Sequence, residues 1–138
     1  MSRTILGMLV GLVVMWLTVA ALEFLGHAVF PPPAGLNPSS PEDLQQIIAA
    51  APVGSLAMLV LAWLTGTFVG GWVAARIAHH TRAAAIAIAL FVMAGVAGMI
   101  VIVPEHPEWV SALGLLLPIP VALVAARLAG KREKTLLK

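Results

Sequence analysis

The chain has 138 residues, of which 61% are hydrophobic and only 10% are charged, and it contains no Cys and no Tyr. An ordinary soluble domain carries roughly 25% charged residues, so this composition cannot cover a water-facing surface. A disordered chain, which needs low hydrophobicity and high net charge, is excluded as well. Without Cys there are no disulfides, thiol redox chemistry or Cys-ligated zinc. The class that remains is an integral membrane protein.

The sequence contains four apolar stretches that are each long enough to cross a bilayer: residues 5–30, 53–78, 83–103 and 109–129. A spanning helix needs about 20 residues, and none of these stretches alternates as a transmembrane strand would. We therefore predict an all-α fold, an integral membrane bundle of four transmembrane helices that forms one domain over residues 1–138. The first stretch could also be a signal peptide, but its apolar run continues past the small residues Ala20 and Ala21.

A short helix is predicted between the first two spans. Three consecutive prolines end the first span, because proline disfavours helix in the residue before it. Ser40 and Pro41, followed by two acidic residues, are typical of a helix start with Ser40 as its N-cap. The resulting helix over residues 41–50 places its leucine and both isoleucines on one face. We expect a short outer amphipathic helix that lies on the membrane surface.

The basic residues all fall at one end of the predicted bundle: Arg3, Arg76, Arg82, Arg127, Lys131, Arg132, Lys134 and Lys138. The loops at the other end carry acids instead. Because positive charge stays on the cytoplasmic side, we expect a multi-pass protein with both termini in the cytoplasm. The basic tail at 130–138, with Lys131, Arg132, Lys134 and Lys138, is expected to contact anionic lipid headgroups and not nucleic acid.

Small residues follow one another at four-residue spacing in the second span. Gly66, Gly70 and Ala74 form one such stripe, and Gly71 belongs to a second stripe one position further on. Small residues at this spacing let helix backbones approach closely in lipid. The pattern predicts close packing within one bundle, with a homo-oligomer interface as the alternative.

The fourth span has two prolines, Pro118 and Pro120, near its middle, and they predict a kink. The sequence VAARIA at 73–78 is also echoed by VAARLA at 124–129. This repeat has two possible explanations: a duplicated helical hairpin, or a coincidence in an alanine-rich chain.

Glu23 is the only acid inside a predicted span, and His27 follows one helical turn later on the same face. At 1.5 Å per residue, Glu23 lies roughly 27 Å from Ile5, close to the outer boundary of the span. An acid inside a membrane is costly and is a functional candidate by default. Two interpretations remain open: a polar pair that ties helices together, and a proton-coupled site with His27 as relay.

The outer loop before the fourth span carries Glu105, His106 and Glu108. If these residues converged with Glu23 and His27, carboxylate and imidazole groups could bind a divalent metal. Ligation of a b-type haem by His27 and His106 is a variant of the same idea. We predict no cofactor from the sequence alone. A metal or haem site would require these residues to converge in the folded chain.

The whole chain resembles a group of small, uncharacterised bacterial membrane proteins. The matching features are EFLGH at 23–27 running into PPP at 31–33, and GGWVAA at 70–75. The resemblance implies a bacterial inner membrane and no particular activity. Small multidrug resistance transporters are similar in having four spans and an acid in the first, but they differ in the depth of that acid and in charge bias.

No phosphate loop, nucleophile elbow or zinc-protease motif occurs in the sequence. The sequence favours a non-enzymatic binding, assembly or accessory subunit that acts through helix packing, in a homo-oligomer or larger membrane complex. The alternatives are an oligomeric, proton-coupled transporter or channel using Glu23 and His27, and a metal- or haem-binding membrane protein.

Overall fold

The computed structural model describes residues 1–37, 39–104 and 106–136, with side chains described up to residue 130. Within these residues the regular structure is entirely helical: α1 (Ser2–Val29), α2 (Pro41–Ala49), α3 (Val53–Ile77), α4 (Thr81–Ile102), α5 (Glu108–Leu116) and α6 (Pro118–Leu136). Four segments are long and apolar enough to cross a bilayer, namely α1, α3, α4 and the α5–α6 pair up to Gly130. The predicted all-α class with four such helices is confirmed.

The fourth apolar segment differs most from its predicted bounds. It is interrupted at Leu117, directly before Pro118, which has no N–H to donate to the carbonyl of Gly114. Beyond this interruption α6 continues to Leu136, through most of the segment at 130–138 that was predicted as a tail. Residues 131–136 are mostly lysine, arginine, glutamate and leucine, which are good helix formers, so the helix can continue through them.

Helix α3 is the centre of the bundle, with α1 on one side and α4 and α6 on the other. The face of α1 toward α3 is a buried stripe of Thr4, Gly7, Gly11 and Met15. A Cβ atom added to Gly11 would lie 2.6 Å from the carbonyl oxygen of Gly70, which is closer than real side chains approach. Glycine at positions 11 and 70 is therefore what allows the backbones of α1 and α3 to touch.

The opposite face of α3 packs against alanines. A Cβ atom on Gly71 would lie 3.7 Å from the Cβ of Ala85 in α4 and 3.8 Å from the Cβ of Ala125 in α6. The two echoed hexamers occupy equivalent places, since each buries its three alanines and exposes its arginine. Both small-residue stripes of α3 are therefore used inside one chain, and a second copy would have to pack on another face.

One end of the bundle collects the described arginines, all of them exposed: Arg3, Arg76, Arg82 and Arg127. At this end the Thr4 hydroxyl accepts a hydrogen bond from the His80 amide at 3.5 Å, which joins the start of α1 to the turn between α3 and α4. The guanidinium of Arg76 lies 5.1 Å from the centre of the Trp72 ring, within cation–π range. We call this the basic end, and the opposite end, where α2 and the start of α5 lie, the acidic end.

Candidate functional site

A cavity of about 200 Å³ lies at the acidic end, between the last turns of α1, helix α2 and the first turns of α3. Its walls are mostly leucine, isoleucine and methionine side chains, and its polar members are Glu23, His27, Ser55 and His106. We call this cavity the end pocket. A few polar groups set in apolar walls are typical of a small-molecule site.

Helix α1 supplies the acid and one histidine. Glu23 is half-buried and His27 is exposed, one turn nearer the end of the helix. Between them Gly26 also lines the pocket, and a Cβ atom there would meet only Met58 of α3, at 3.8 Å. Past the end of α1, the ring of Phe30 packs directly on the backbone of α3, so these side chains are held in a fixed position relative to α3.

Helix α2 covers the pocket with its apolar face. The loop before it is tied down by two hydrogen bonds of 3.0 Å, from the Asn37 amide to the Asp43 carboxylate and from the Ser39 amide to the Asn37 side-chain oxygen. Ser40 occupies the N-cap position without a side-chain hydrogen bond. Ile48 is only 9% exposed, and it lines the pocket together with the other apolar side chains of α2.

His106 enters the pocket from the short connection between α4 and α5. It follows the end of α4 closely, and its ring Nδ1 lies 3.1 Å from the carbonyl oxygen of Val103. The Val103 carbonyl also accepts the His106 amide, at 3.4 Å. The side chain is 8% exposed, and its Nε2 is buried with no hydrogen-bond partner among the described residues. The contact of Nδ1 with the Val103 carbonyl therefore orients the ring, while Nε2 stays without a partner in the described part of the chain.

Three of the predicted polar residues, Glu23, His27 and His106, come together in the end pocket. Glu108 is the exposed first residue of α5 and does not line it, and Glu105 lies outside the described residues. Among the described residues no group of three His, Asp or Glu side chains could hold a metal ion. A b-type haem between His27 and His106 would need a larger cavity than this one.

The other predicted positions have structural places. Gly66, Gly70 and Ala74 face α1, and Gly71 faces α4 and α6. Pro118 is fully buried beside the interruption at Leu117, and Pro120, two residues later, is exposed. The predicted lipid contacts concern residues whose side chains lie outside the described part of the chain: Lys131, Arg132, Lys134 and Lys138.

The sequence did not point to the apolar walls of the pocket, nor to Ser55 and Gly26. One signal was present: α2 is amphipathic but has no basic residue with which to hold anionic headgroups. Such a helix has more to gain from covering an apolar cavity of its own chain than from lying on an anionic membrane surface.

Comparisons of this chain with protein-family models, with curated proteins and with solved structures gave no match. Function is therefore inferred from the end pocket and its residues.

Proposed function

We propose that the chain is a non-enzymatic binding subunit of a bacterial inner membrane, and that the end pocket holds a small, mostly apolar ligand. The observation that carries this proposal is the convergence of Glu23, His27 and His106 on an apolar cavity of about 200 Å³. An apolar cavity of about 150 Å³ is large enough for benzene. The end pocket therefore has room for one substituted ring, or for the end of a longer amphiphile.

The outer surface of the bundle supports a location in the membrane. Large apolar side chains are exposed along α1 and α4, among them Trp16, Phe24, Phe91 and Val101. In water so much apolar area would be an aggregation hazard. With the basic end in the cytoplasm, as the positive-inside rule requires, both termini lie inside and the end pocket opens on the outer side.

The close helix packing beside the pocket, toward the basic end, favours binding over conduction. There the backbones of α1 and α3 touch at Gly11 and Gly70, and Met15 packs into the same interface. A path from the pocket between α1 and α3 is closed by this contact between the two backbones. The arrangement suits a site that is reached from one side of the membrane.

A homo-oligomer or a larger membrane complex remains part of the proposal. Because the stripes of α3 are engaged within the chain, the contact with a partner would use the outward faces of α1 or α4. Gly95 and Gly98 of α4 have open space around them, so a partner helix could approach closely there.

A proton-coupled transporter is the second candidate, and the observation that favours it is the presence of Glu23 in the wall of the pocket, one turn from His27. Glu23→Gln keeps the shape of the side chain and removes its charge. In a transporter this change abolishes proton-coupled flux into vesicles. In a binding subunit it changes ligand affinity while assembly of the protein stays normal.

The binding proposal is tested by purifying the full chain in mild detergent and identifying retained small molecules by native mass spectrometry. Gly26→Leu is the blocking variant, because its Cβ fits against Met58 and the rest of the side chain fills the pocket. Gly130→Leu in α6 is the matched control, since a Cβ there meets nothing within 4 Å and Gly130 lies at the basic end, away from the pocket. We expect a retained ligand in the wild type and in Gly130→Leu, and its loss in Gly26→Leu. Equal retention by both variants contradicts the proposal.

A further inference from the structure

The hydrogen bond of His106 determines which of its ring nitrogens carries the proton. A backbone carbonyl can only accept, so Nδ1, at 3.1 Å from the Val103 oxygen, must be the protonated nitrogen. The neutral ring with its proton on Nδ1 has a free lone pair on Nε2, which makes Nε2 a hydrogen-bond acceptor.

This acceptor has no partner among the described residues, although it is buried. Buried polar groups are nearly always paired, because an unmade hydrogen bond costs free energy that water would otherwise supply. Because Nδ1 faces the Val103 carbonyl at the end of α4, Nε2 is the ring nitrogen available to bond with a group in the pocket. Because no described residue pairs with Nε2, a ligand in the pocket can supply the missing partner.

We propose that the end pocket selects a ligand with a hydrogen-bond donor on a single ring or short apolar body, and that Nε2 of His106 accepts this bond. The inference rests on the proposed binding function and adds the class of ligand. The lining residues contain no Arg or Lys, and the described arginines lie at the basic end. Hydroxyl and protonated amine heads fit this chemistry, and carboxylates and phosphates do not.

The test compares para-butylphenol with para-butylanisole, its methyl ether, which has the same body but no donor. Binding to the full chain in phosphatidylcholine nanodiscs is measured by calorimetry. Discs with Gly26→Leu correct for partitioning of the probes into lipid. We expect the phenol to bind about tenfold more tightly than the ether, which is the effect of one well-made hydrogen bond. The corresponding benzoate should not bind.

Two variants separate the pocket role of His106 from its structural role. In His106→Asn the amide nitrogen replaces Nδ1 and keeps the bond to Val103, but nothing replaces Nε2. In His106→Gln the amide group lies near the position of Nε2. We expect His106→Asn to reduce the preference for phenol over ether to about one, and His106→Gln to retain part of it. Unchanged thermal unfolding of His106→Asn shows that the turn is intact.

Equal binding of phenol and ether to the wild type, with both lost in Gly26→Leu, overturns this inference and leaves the binding proposal standing. A water molecule as the permanent partner of Nε2 would give that result. A preference for phenol that His106→Asn does not change overturns the inference too. If neither probe binds and no ligand is retained on purification, the proposed binding function itself is wrong.

Discussion

Two neighbouring glycines of α3 should respond very differently to the same small change. Gly70 faces α1 at the point where the backbones touch, and Gly71 faces the alanines of α4 and α6. Replacing each in turn by alanine adds one methyl group at adjacent positions of one helix. The difference between the two variants therefore reports packing, because composition and helix propensity change equally.

The expected loss follows from distances at the α1–α3 contact. A Cβ atom on Gly70 would lie 2.5 Å from the Cβ of Met15 and 2.6 Å from the Gly11 carbonyl oxygen. Carbon atoms pack at about 3.5–4.0 Å, so the two helices must separate by roughly 1 Å. Overpacking of this kind costs about 1–3 kcal/mol. On Gly71 the added Cβ makes ordinary contacts at 3.7 and 3.8 Å.

We expect Gly70→Ala to lower the free energy of unfolding by about 2–3 kcal/mol, and Gly71→Ala to change it by less than about 0.5 kcal/mol. The measurement is reversible unfolding in mixed micelles of rising SDS content, followed by the fluorescence of the four tryptophans, of which Trp63 is buried. Equal losses in the two variants, or no loss in Gly70→Ala, would refute the close backbone contact between α1 and α3.

Three further predictions concern other parts of the chain. Because there are no native cysteines, Ala34→Cys in the exposed loop before α2 should react with an impermeant maleimide added outside intact cells. His79→Cys should react only after permeabilisation, and the reverse pattern contradicts the proposed orientation. Gly114→Ala places a Cβ 2.9 Å from the Trp63 ring, so it should lower the free energy of unfolding by about 1–3 kcal/mol and shift the tryptophan emission. An unchanged emission spectrum would contradict this prediction. Ile48→Ala removes the only buried side chain of α2, so amide hydrogen exchange in α2 should become faster. The free energy of unfolding in SDS should change by less than about 0.5 kcal/mol. A larger loss would mean that α2 is part of the main core.

The helices could be predicted because their signals are local. Apolar runs longer than the bilayer thickness stand out in the sequence, and the break before Pro118 follows from a missing amide proton. The small-residue stripe of Gly70 signals close packing, but the sequence alone could not say whether its partner is α1 or a second copy. That choice depends on how the helices are arranged around α3.

The end pocket was harder to foresee because it depends on three distant segments meeting. Glu23 and His27 are conspicuous as polar residues in an apolar run. His106 is less conspicuous. Nothing in the sequence shows that the Val103 carbonyl bonds to Nδ1 while Nε2 has no partner among the described residues. The role of α2 as cover was missed, since an amphipathic pattern is the same whether its apolar face meets lipid or a cavity.

The glycine contact between α1 and α3 also makes occupancy of the pocket a matter of thermodynamic linkage. Glu23, Gly26 and His27 belong to α1, so the pocket exists only while α1 is docked on α3. A ligand at 100 times its Kd would stabilise the docked state by about 2.7 kcal/mol. This is close to the loss expected from one methyl group at Gly70. A full pocket would therefore offset most of a packing defect near the middle of the bundle.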